Sequence, residues 1–197
     1  MKIYDVIQGS QAWLDLHVGV LTASRFHRLM TEKTRRPSKG EAVHKLACEL
    51  SAEFMMGELL DSGASQFMQR GTKLESRAAA WYSFDRGVDV VPLGFVTLAD
   101  GSAGCSPDGL IGDDGGLEIK CPSPANHVAN LCDNADFVDQ YYAQCQGGMW
   151  ICERQWWSLV SYHPTIPSVV VRIERDDDYI EALTGAVQSV VFKVNEI

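Results

Sequence analysis

Apolar positions recur along the chain with two different periods, and together they predict a mixed α/β protein. Four segments place an apolar side chain every three to four residues, the spacing of one helix face. They are Glu41–Leu60, Arg70–Phe84, Phe137–Cys152 and Tyr179–Val194. Four runs rich in β-branched, aromatic or small residues predict strands. They are Val88–Leu98, Ala103–Ser106, Gln155–Tyr162 and Val169–Glu174.

The predicted helices each carry one apolar stripe that should pack inward. In the first helix the stripe runs from Val43 through Leu50 to Phe54, and in the last it runs from Ile180 to Val194. We find no linker, repeat or low-complexity run. A chain of 197 residues is long enough for one real core, so we expect a single domain, 1–197.

A cluster of turn residues at Gly112–Gly116 predicts a β-hairpin. Because side chains alternate along a strand, Glu118 and Lys120 should share one face of the returning strand, while their apolar neighbours point to the other. The turn should bring Asp108 beside them. The sequence therefore predicts two carboxylates and a lysine around one small space.

This set of side chains suits a hard divalent cation such as Mg²⁺, which takes oxygen ligands and keeps some of its waters. The Ile119 carbonyl is a further candidate ligand. Partial desolvation would lower the pKa of Lys120, which would then orient or deprotonate an attacking water. Taken alone, the pattern also fits a surface hairpin with a Glu–Lys strand pair.

The distribution of charge along the chain indicates whether the protein can bind an anionic partner. The formal net charge is −9, which by itself disfavours an anionic ligand such as DNA. The segment 25–45, however, holds seven Lys or Arg residues against two Glu. It is either a phosphate-binding patch or a solvated basic loop.

The cysteines and the apolar runs of the sequence indicate which cellular compartment and which metal or disulfide sites to expect. Six cysteines include no Cys-x-x-Cys pair, so reduced core thiols are expected in place of a zinc knuckle or a secreted disulfide framework. No apolar run at the start or elsewhere suits a signal peptide or a membrane span. We therefore expect a cytoplasmic protein.

The hairpin also fits a known signature. Pro107-Asp108, then nine residues, then Glu118-Ile119-Lys120 resembles the Pro-Asp...(Asp/Glu)-X-Lys motif of nucleases. Five ordered blocks resemble those of the bacteriophage lambda exonuclease family, also called YqaJ-type viral recombinases. The blocks are Trp13–Ser24, Gly71–Glu75, Cys105–Gly109, Leu117–Pro122 and Tyr141–Trp150.

The resemblance implies an α/β fold with a PD-(D/E)XK, restriction-endonuclease-like core, in which helices flank a central mixed sheet. It implies a Mg²⁺-dependent 5′-to-3′ exonuclease on double-stranded DNA ends that releases 5′-mononucleotides and leaves 3′ single strands. Mn²⁺ is expected to substitute, with one or two ions per site. A toroidal homotrimer and a single-strand annealing protein of the same phage or prophage, in a bacterial host, are the implied partners.

Two other functions remain compatible with these motifs. One is a structure-specific or sequence-specific PD-(D/E)XK endonuclease, because the hairpin chemistry is the same. The other is a DNA-end-binding module without catalysis, although the intact hairpin set disfavours it.

The resemblance also implies the catalytic roles. Asp108, Glu118 and the Ile119 carbonyl would hold the metal, and Glu75 would assist at a second metal position. Lys120 would activate water and Gln144 would help to place it. The alternative interpretation of Glu75 is a solvated helix residue without a role at the site. The alternative for Gln144 is a core amide whose hydrogen bonds are satisfied within the protein.

A second set of residues would bind DNA and its terminal 5′-phosphate. It comprises Ser24, His17, Arg25, Arg28, Ser106, Tyr141 and Met68. His17 stands where the family pattern has an arginine, and an imidazole is only partly charged near neutral pH. Tyr141 is otherwise a packing aromatic. Met68 occupies the place of an apolar wedge between terminal bases, or is a core methionine.

Overall fold

The computed structural model describes residues 1–38, 40–60 and 66–197, and within 66–73 it describes the helical backbone alone. The described part contains nine strands: β1 Lys2–Tyr4, β2 Leu21–Thr22, β3 Val90–Val91, β4 Phe95–Thr97, β5 Ala103–Cys105, β6 Gly109–Ile111, β7 Gly115–Lys120, β8 Trp156–Ser161 and β9 Val169–Glu174. It contains six α-helices and a 3-10 helix, Ala23–Arg28. The α-helices are α1 Gln11–His17, α2 Glu41–Met56, α3 Gln66–Arg86, α4 Pro124–Cys132, α5 Asn134–Ile151 and α6 Asp177–Glu196.

The strands form two mixed sheets where one central sheet was expected. The first has the order β1-β4-β5-β2, with β2 and β5 parallel. The second has the order β3-β6-β7-β8-β9, with β7 and β8 parallel and the other pairs antiparallel. The mixed α/β class with helices around the sheets is confirmed.

The chain crosses from one sheet to the other at Pro107. Strand β5 ends at Cys105, and Pro107, which has no amide hydrogen for the ladder, does not extend it. The next residue, Asp108, resumes pairing by donating its amide to the Leu117 carbonyl at 3.1 Å. Gln8 donates to the Pro107 carbonyl at 2.9 Å and to the Leu93 carbonyl at 2.7 Å, which ties the crossing to its surroundings. Asp108 therefore lies where the two sheets meet.

Strand β7 separates two apolar clusters. Leu117 and Ile119 pack with Ala78 and Tyr82 of α3, and the Tyr82 hydroxyl is hydrogen bonded to Ser158 on β8 at 2.7 Å. On the opposite face, α5 packs on Trp157 and Leu159 of β8 and on the 3-10 helix. Glu118 and Lys120 point to this α5 side.

Helix α5 lies very close to the 3-10 helix, and this contact requires a glycine. A Cβ built on Gly147 would meet Phe26 Cδ2 at 2.3 Å and the Ala23 side chain at 3.3 Å. Because the two elements have no room for a side chain between them, the 3-10 helix is held firmly against α5. The N-terminal block, Trp13–Ser24, is thereby positioned beside the hairpin that carries Glu118 and Lys120.

The predicted helices are present, but α2 ends earlier than expected and faces differently. Gly57 adopts a left-handed conformation, φ 73°, and terminates the helix at Met56. Phe54, predicted to point inward, is 77% exposed, whereas Glu53 is 1% exposed. The apolar period was misleading here because a paired charge takes the inward position.

Several short elements were missed. Helix α1 is capped by Ser10, whose side chain accepts the Trp13 amide, and α4 is capped by Ser123 with Pro124 in its first turn. Those capping signals were available in the sequence. Strands β1 and β2 and the 3-10 helix carry no comparable signal. No described helix combines the length and apolarity that crossing a membrane would demand.

Candidate active site at the junction of the two sheets

The hairpin brings the predicted side chains together. In the β6–β7 register Gly109 pairs with Leu117, and Gly112 turns the chain with φ 55°. Gly115 and Gly116, expected in the turn, are instead the first two residues of β7. Asp108 Oδ2 accepts the Ile119 amide at 2.5 Å, which fixes the first carboxylate beside the strand that carries the second.

Glu118, Lys120 and Gln144 form a closed hydrogen-bonded triangle. Lys120 Nζ donates to Glu118 Oε1 at 2.7 Å and to Gln144 Oε1 at 3.1 Å, and Gln144 Nε2 donates to Glu118 Oε1 at 2.7 Å. Glu118 is 7% exposed. A buried carboxylate with two donors is held in one orientation, so the triangle fixes both charged groups.

Tyr141, one turn before Gln144 on α5, completes the enclosure of the lysine. Lys120 Nζ lies 4.6 Å from the centre of the Tyr141 ring, a cation–π contact. In the described structure Tyr141 therefore contacts Lys120. Its predicted contact with DNA stays a prediction.

The pKa values of the hairpin groups reflect burial among like charges. Burial, and then the Glu118 charge, raise the pKa of Asp108 well above its usual range, although the Ile119 amide and the Lys120 charge oppose the shift. Burial lowers the pKa of Lys120, but the charge and hydrogen bond of Glu118 outweigh it and raise that pKa above its usual value. The lowered lysine pKa that we expected is therefore wrong, and Lys120 is a protonated donor.

Glu75 reaches the same region from α3. Burial raises its pKa, the Lys120 charge lowers it and the Glu118 charge raises it. Glu75 therefore senses the hairpin charges from a half-buried position, as a residue near the site should.

The donors fit a divalent cation in their chemistry. Asp108 and Glu118 supply carboxylate oxygens and Ile119 a backbone carbonyl, which are ligands that Mg²⁺ prefers. The pKa of Asp108 is raised first by burial and then by the Glu118 charge, and a bound cation would relieve the second effect. Across the described ranges, no three His, Cys, Asp or Glu side chains are grouped closely enough to hold a metal. The fit thus rests on two carboxylates and the carbonyl.

A pocket of about 200 Å³ joins the hairpin to the N-terminal block. Glu118 on β7 and Gln144 on α5 line this pocket. His17 and Ser24 line it from the N-terminal block, and Ser106 lines it from the segment that crosses between the sheets. The structure thus brings together five of the predicted site residues in one cavity.

His17 is held in a stack of aromatic rings. Its ring centre lies 3.8 Å from that of Trp13 and 4.2 Å from that of Phe95. His17 Nδ1 lies 2.7 Å from the Trp13 carbonyl oxygen, and Nε2 lies 3.4 Å from Ser106 Oγ. Burial lowers the pKa of His17 below its usual value.

Arg25 and Arg28 are held in ion pairs. Both nitrogens of the Arg25 fork donate to Glu53, at 2.6 and 3.3 Å, and Arg28 donates to Glu49 at 2.5 and 3.0 Å. Arg35 of the same basic segment pairs with Asp139 at 3.1 Å. Several of the basic residues counted in the sequence are thus engaged within the protein. The Met68 side chain lies outside the described residues.

Sequence reasoning missed three residues that shape this site. Gln8 lines the pocket and holds Pro107, and Trp13 donates its indole N–H to Ser106 Oγ at 2.8 Å. Glu53 accepts the Gly19 amide at 3.3 Å and anchors Arg25. For Gln8 and Glu53 no motif marks the role, because each acts across the fold on a segment distant in sequence.

The Pro-Asp crossing, the Glu-x-Lys strand and the helices on both sides of the sheet define a nuclease-type PD-(D/E)XK fold. The chain belongs to the YqaJ-like viral recombinase family, whose domain matches residues 12–155. The resemblance found in the sequence is thereby confirmed. The comparison with curated proteins gave no match.

Solved structures agree with this assignment. An alkaline exonuclease from Laribacter hongkongensis, LHK-Exo, is 31% identical with a TM-score of 0.82, over 95% of this chain and 93% of that one. Its complex with dAMP gives 32% identity and a TM-score of 0.81 over the same shares. A phage-related exonuclease from Haemophilus somnus 129PT, 14% identical over 90% of this chain and 94% of its own, has a TM-score of 0.70 and shows the shared fold.

Proposed function

We propose that this protein is a Mg²⁺-dependent 5′-to-3′ exonuclease on double-stranded DNA that releases 5′-mononucleotides and leaves 3′ single strands for recombination by annealing. The observation that carries the proposal is the shared pocket, in which Glu118 and Gln144 lie beside the end-binding candidates His17, Ser24 and Ser106. A catalytic group next to residues that would bind a DNA end suits removal of terminal nucleotides. The family and the exonuclease relatives support it.

The bound ion would supply an activated water and charge stabilisation at the phosphate. Asp108, Glu118 and the Ile119 carbonyl would hold it, with Glu75 near a second position. Lys120, protonated and fixed by Glu118, would orient the water or donate to a phosphate oxygen. In this role Lys120 does not act as a base.

Gln144 would keep the lysine and the carboxylate in register, because its amide bonds both. The dAMP bound to the Laribacter relative is a mononucleotide, the class of product proposed here. Deoxynucleoside monophosphate release is therefore the product to measure.

The wider proposal includes a toroidal homotrimer around the DNA and a phage-type annealing protein as partner. It places the protein in the cytoplasm of a bacterial host, encoded by a phage or prophage. Mn²⁺ should replace Mg²⁺. The support for these features is the family membership.

The test is release of mononucleotides from linear duplex DNA labelled at either the 5′ or the 3′ end. We expect release from the 5′ end in Mg²⁺, none after chelation, and binding with little turnover in Ca²⁺, whose bonds are longer and less regular. Closed circular duplex should resist. Circles cut as fast as linear ends are digested would contradict exonuclease action and indicate an endonuclease.

Asp108→Ala should lower the digestion rate by roughly 10³-fold or more while DNA binding survives, since one carboxylate of the metal set is removed. The matched control is Asp113→Ala, a residue exposed in the turn of the same hairpin, which should stay within about twofold of the parent. Near-parental digestion by Asp108→Ala would show that the hairpin is not the active site.

A further inference from the structure

The N-terminal wall of the pocket differs from the family pattern in its charge. We call the residues Trp13, His17, Thr22, Ser24 and Ser106 the end-binding wall. Of the described residues that line the pocket, none is a lysine or arginine, and the one carboxylate is that of Glu118 on the catalytic side. His17 is thus the one group of the described wall that can become positive.

The hydrogen bonds of His17 suit a neutral ring. The Trp13 carbonyl can only accept, so Nδ1 carries the proton of the 2.7 Å contact. Ser106 Oγ accepts the Trp13 indole N–H and has its hydroxyl hydrogen free for His17 Nε2, 3.4 Å away. Both ring nitrogens thus have a partner without a second proton on the ring.

The surroundings of the ring oppose a charge. Trp13 and Phe95 cover its faces. Burial lowers the pKa of His17 most; Arg25 lowers it further, while the Trp13 hydrogen bond and the Glu53 charge raise it. The imidazole does not replace the arginine of the family pattern.

The neighbouring arginines do not replace it either. Arg25 is committed to Glu53, which is 1% exposed and also accepts the Gly19 amide. Arg28 is committed to Glu49. The polar groups that remain on the wall are hydroxyls, including Thr22 and Ser24, which lie 3.0 Å apart.

We propose that this protein recognises the 5′ end through hydroxyl groups and a neutral imidazole, so that it binds 5′-hydroxyl and 5′-phosphorylated duplex ends with similar affinity. The inference rests on the proposed exonuclease function. A hydroxyl donates to either kind of end, whereas the strong preference for phosphate comes from charge-assisted bonds. His17 is then the residue that determines end specificity.

The first experiment measures binding in the full chain carrying Asp108→Ala, so that the DNA stays intact. Fluorescence anisotropy in Mg²⁺ at pH 8 compares two duplexes that differ only in a 5′-phosphate or a 5′-hydroxyl. We expect dissociation constants within fivefold of each other. A ratio of fivefold or more in favour of phosphate, or failure to bind either duplex, would overturn the inference.

Charge introduced at the wall should create a preference. In the Asp108→Ala background, Glu53→Gln removes the charge that holds Arg25 but keeps an acceptor for Gly19, and should favour the phosphorylated end at least threefold. Glu49→Gln frees Arg28, which does not line the pocket, and is the matched control with an unchanged ratio. His17→Arg should raise the ratio tenfold or more.

If neither Glu53→Gln nor His17→Arg changes the ratio, charge at this wall does not reach the 5′ end and the inference fails. The use of two variants guards against misfolding of His17→Arg within its aromatic stack. Failure of the proposed function is a separate result: the parent protein would release no mononucleotides from either duplex, while the binding ratio would still be measured.

Discussion

Individual charged residues of the candidate site are shifted both by burial and by their partners. Burial favours the neutral form of Asp108 and of Lys120, but at Lys120 the Glu118 charge and hydrogen bond outweigh it. Perturbed pKa values of this kind, produced by burial and a specific charged partner, are frequent at functional sites.

At Lys120 the expected consequence is a loss of rate without a loss of metal. Lys120→Ala should lower the maximal rate by roughly 10²- to 10⁴-fold, because an oriented donor is removed. The Mg²⁺ concentration for half activity should change little, since Lys120 does not bind the ion. A Mg²⁺ titration of single-turnover rates measures both, and a large shift in that concentration at an intact maximal rate would assign Lys120 to site assembly instead.

For His17 the lowered pKa fixes the direction of the pH response. A histidine becomes charged only below its pKa, so a lowered value moves the charged form to the acid side of its usual ~6.5. The ratio of cleavage rates on 5′-phosphorylated and 5′-hydroxyl ends should be flat from about pH 7 to 9 and rise only below about 6.5. An imidazole with its ordinary pKa would instead have made the ratio fall between about pH 6 and 9.

The control for that measurement is His17→Arg on the same substrates, because the phosphate has its own second pKa near ~6. Arginine stays charged, so its ratio should be high and vary with the phosphate alone. A parent ratio that falls steadily between about pH 7 and 9 would contradict a neutral His17. The groups whose charges act on this ring are Arg25 and Glu53.

Among the elements, α2 is joined to the segment Trp13–Arg28 by a buried ion pair, in addition to apolar packing and the Arg28–Glu49 pair. Glu53 binds both the Arg25 fork and the Gly19 amide, and Gly19, with φ 67°, lies against Phe54. An apolar residue at position 53 would leave Arg25 and the amide without this partner. The pair therefore ties the 3-10 helix and Gly19 to α2.

Glu53→Ala should lower the free energy of unfolding by about 2–4 kcal/mol, since it leaves a largely buried arginine unpaired. Glu49→Ala removes an equivalent ion pair to Arg28 from a more exposed place, with side chains 27 and 28% exposed, and should cost about 1 kcal/mol or less. Urea unfolding of both variants measures the difference. Equal losses would show that burial of Glu53 adds nothing to the pair.

At the scale of the whole molecule, the structure changes the interpretation of the net negative charge and of the basic segment 25–45. Arg25, Arg28 and Arg35 each bind an acidic partner in the same chain. Three of the seven Lys and Arg residues of segment 25–45 are therefore paired within the chain, so DNA binding would draw on the remaining basic groups or on those of several protomers. An assembly around the DNA would supply those contacts.

We expect a trimer by sedimentation at micromolar concentration, with processive digestion lost under conditions that dissociate it. The physical reason is that a closed ring prevents DNA from leaving between successive cleavages. Processivity is measured by trapping released protein with excess unlabelled duplex. A monomer that digests processively in the presence of the trap would remove the ring.

The sequence predicted the hairpin that carries Asp108, Glu118 and Lys120 correctly because its determinants are local. Turn residues and strand alternation place Glu118 and Lys120 together, and the observed 2.7 Å contact follows from that period. The four long helices were found for the same reason, since an apolar stripe is written into consecutive residues. Helix α4 was missed, although Ser123 as the N-cap and Pro124 in the first turn are signals for the start of a helix.

What the sequence alone determined is thus the mixed α/β class, the hairpin and the family. Only the tertiary structure decided the division into two sheets at Pro107, the inward turn of Glu53 and the burial of His17 against Trp13 and Phe95. Each of these depends on residues that are distant in sequence. Gln8 donates to the Pro107 carbonyl, Arg25 forms an ion pair with Glu53, and Ser106 and Phe95 contact His17. Local patterns record which side chains a segment offers, whereas burial and pairing are set when distant segments meet.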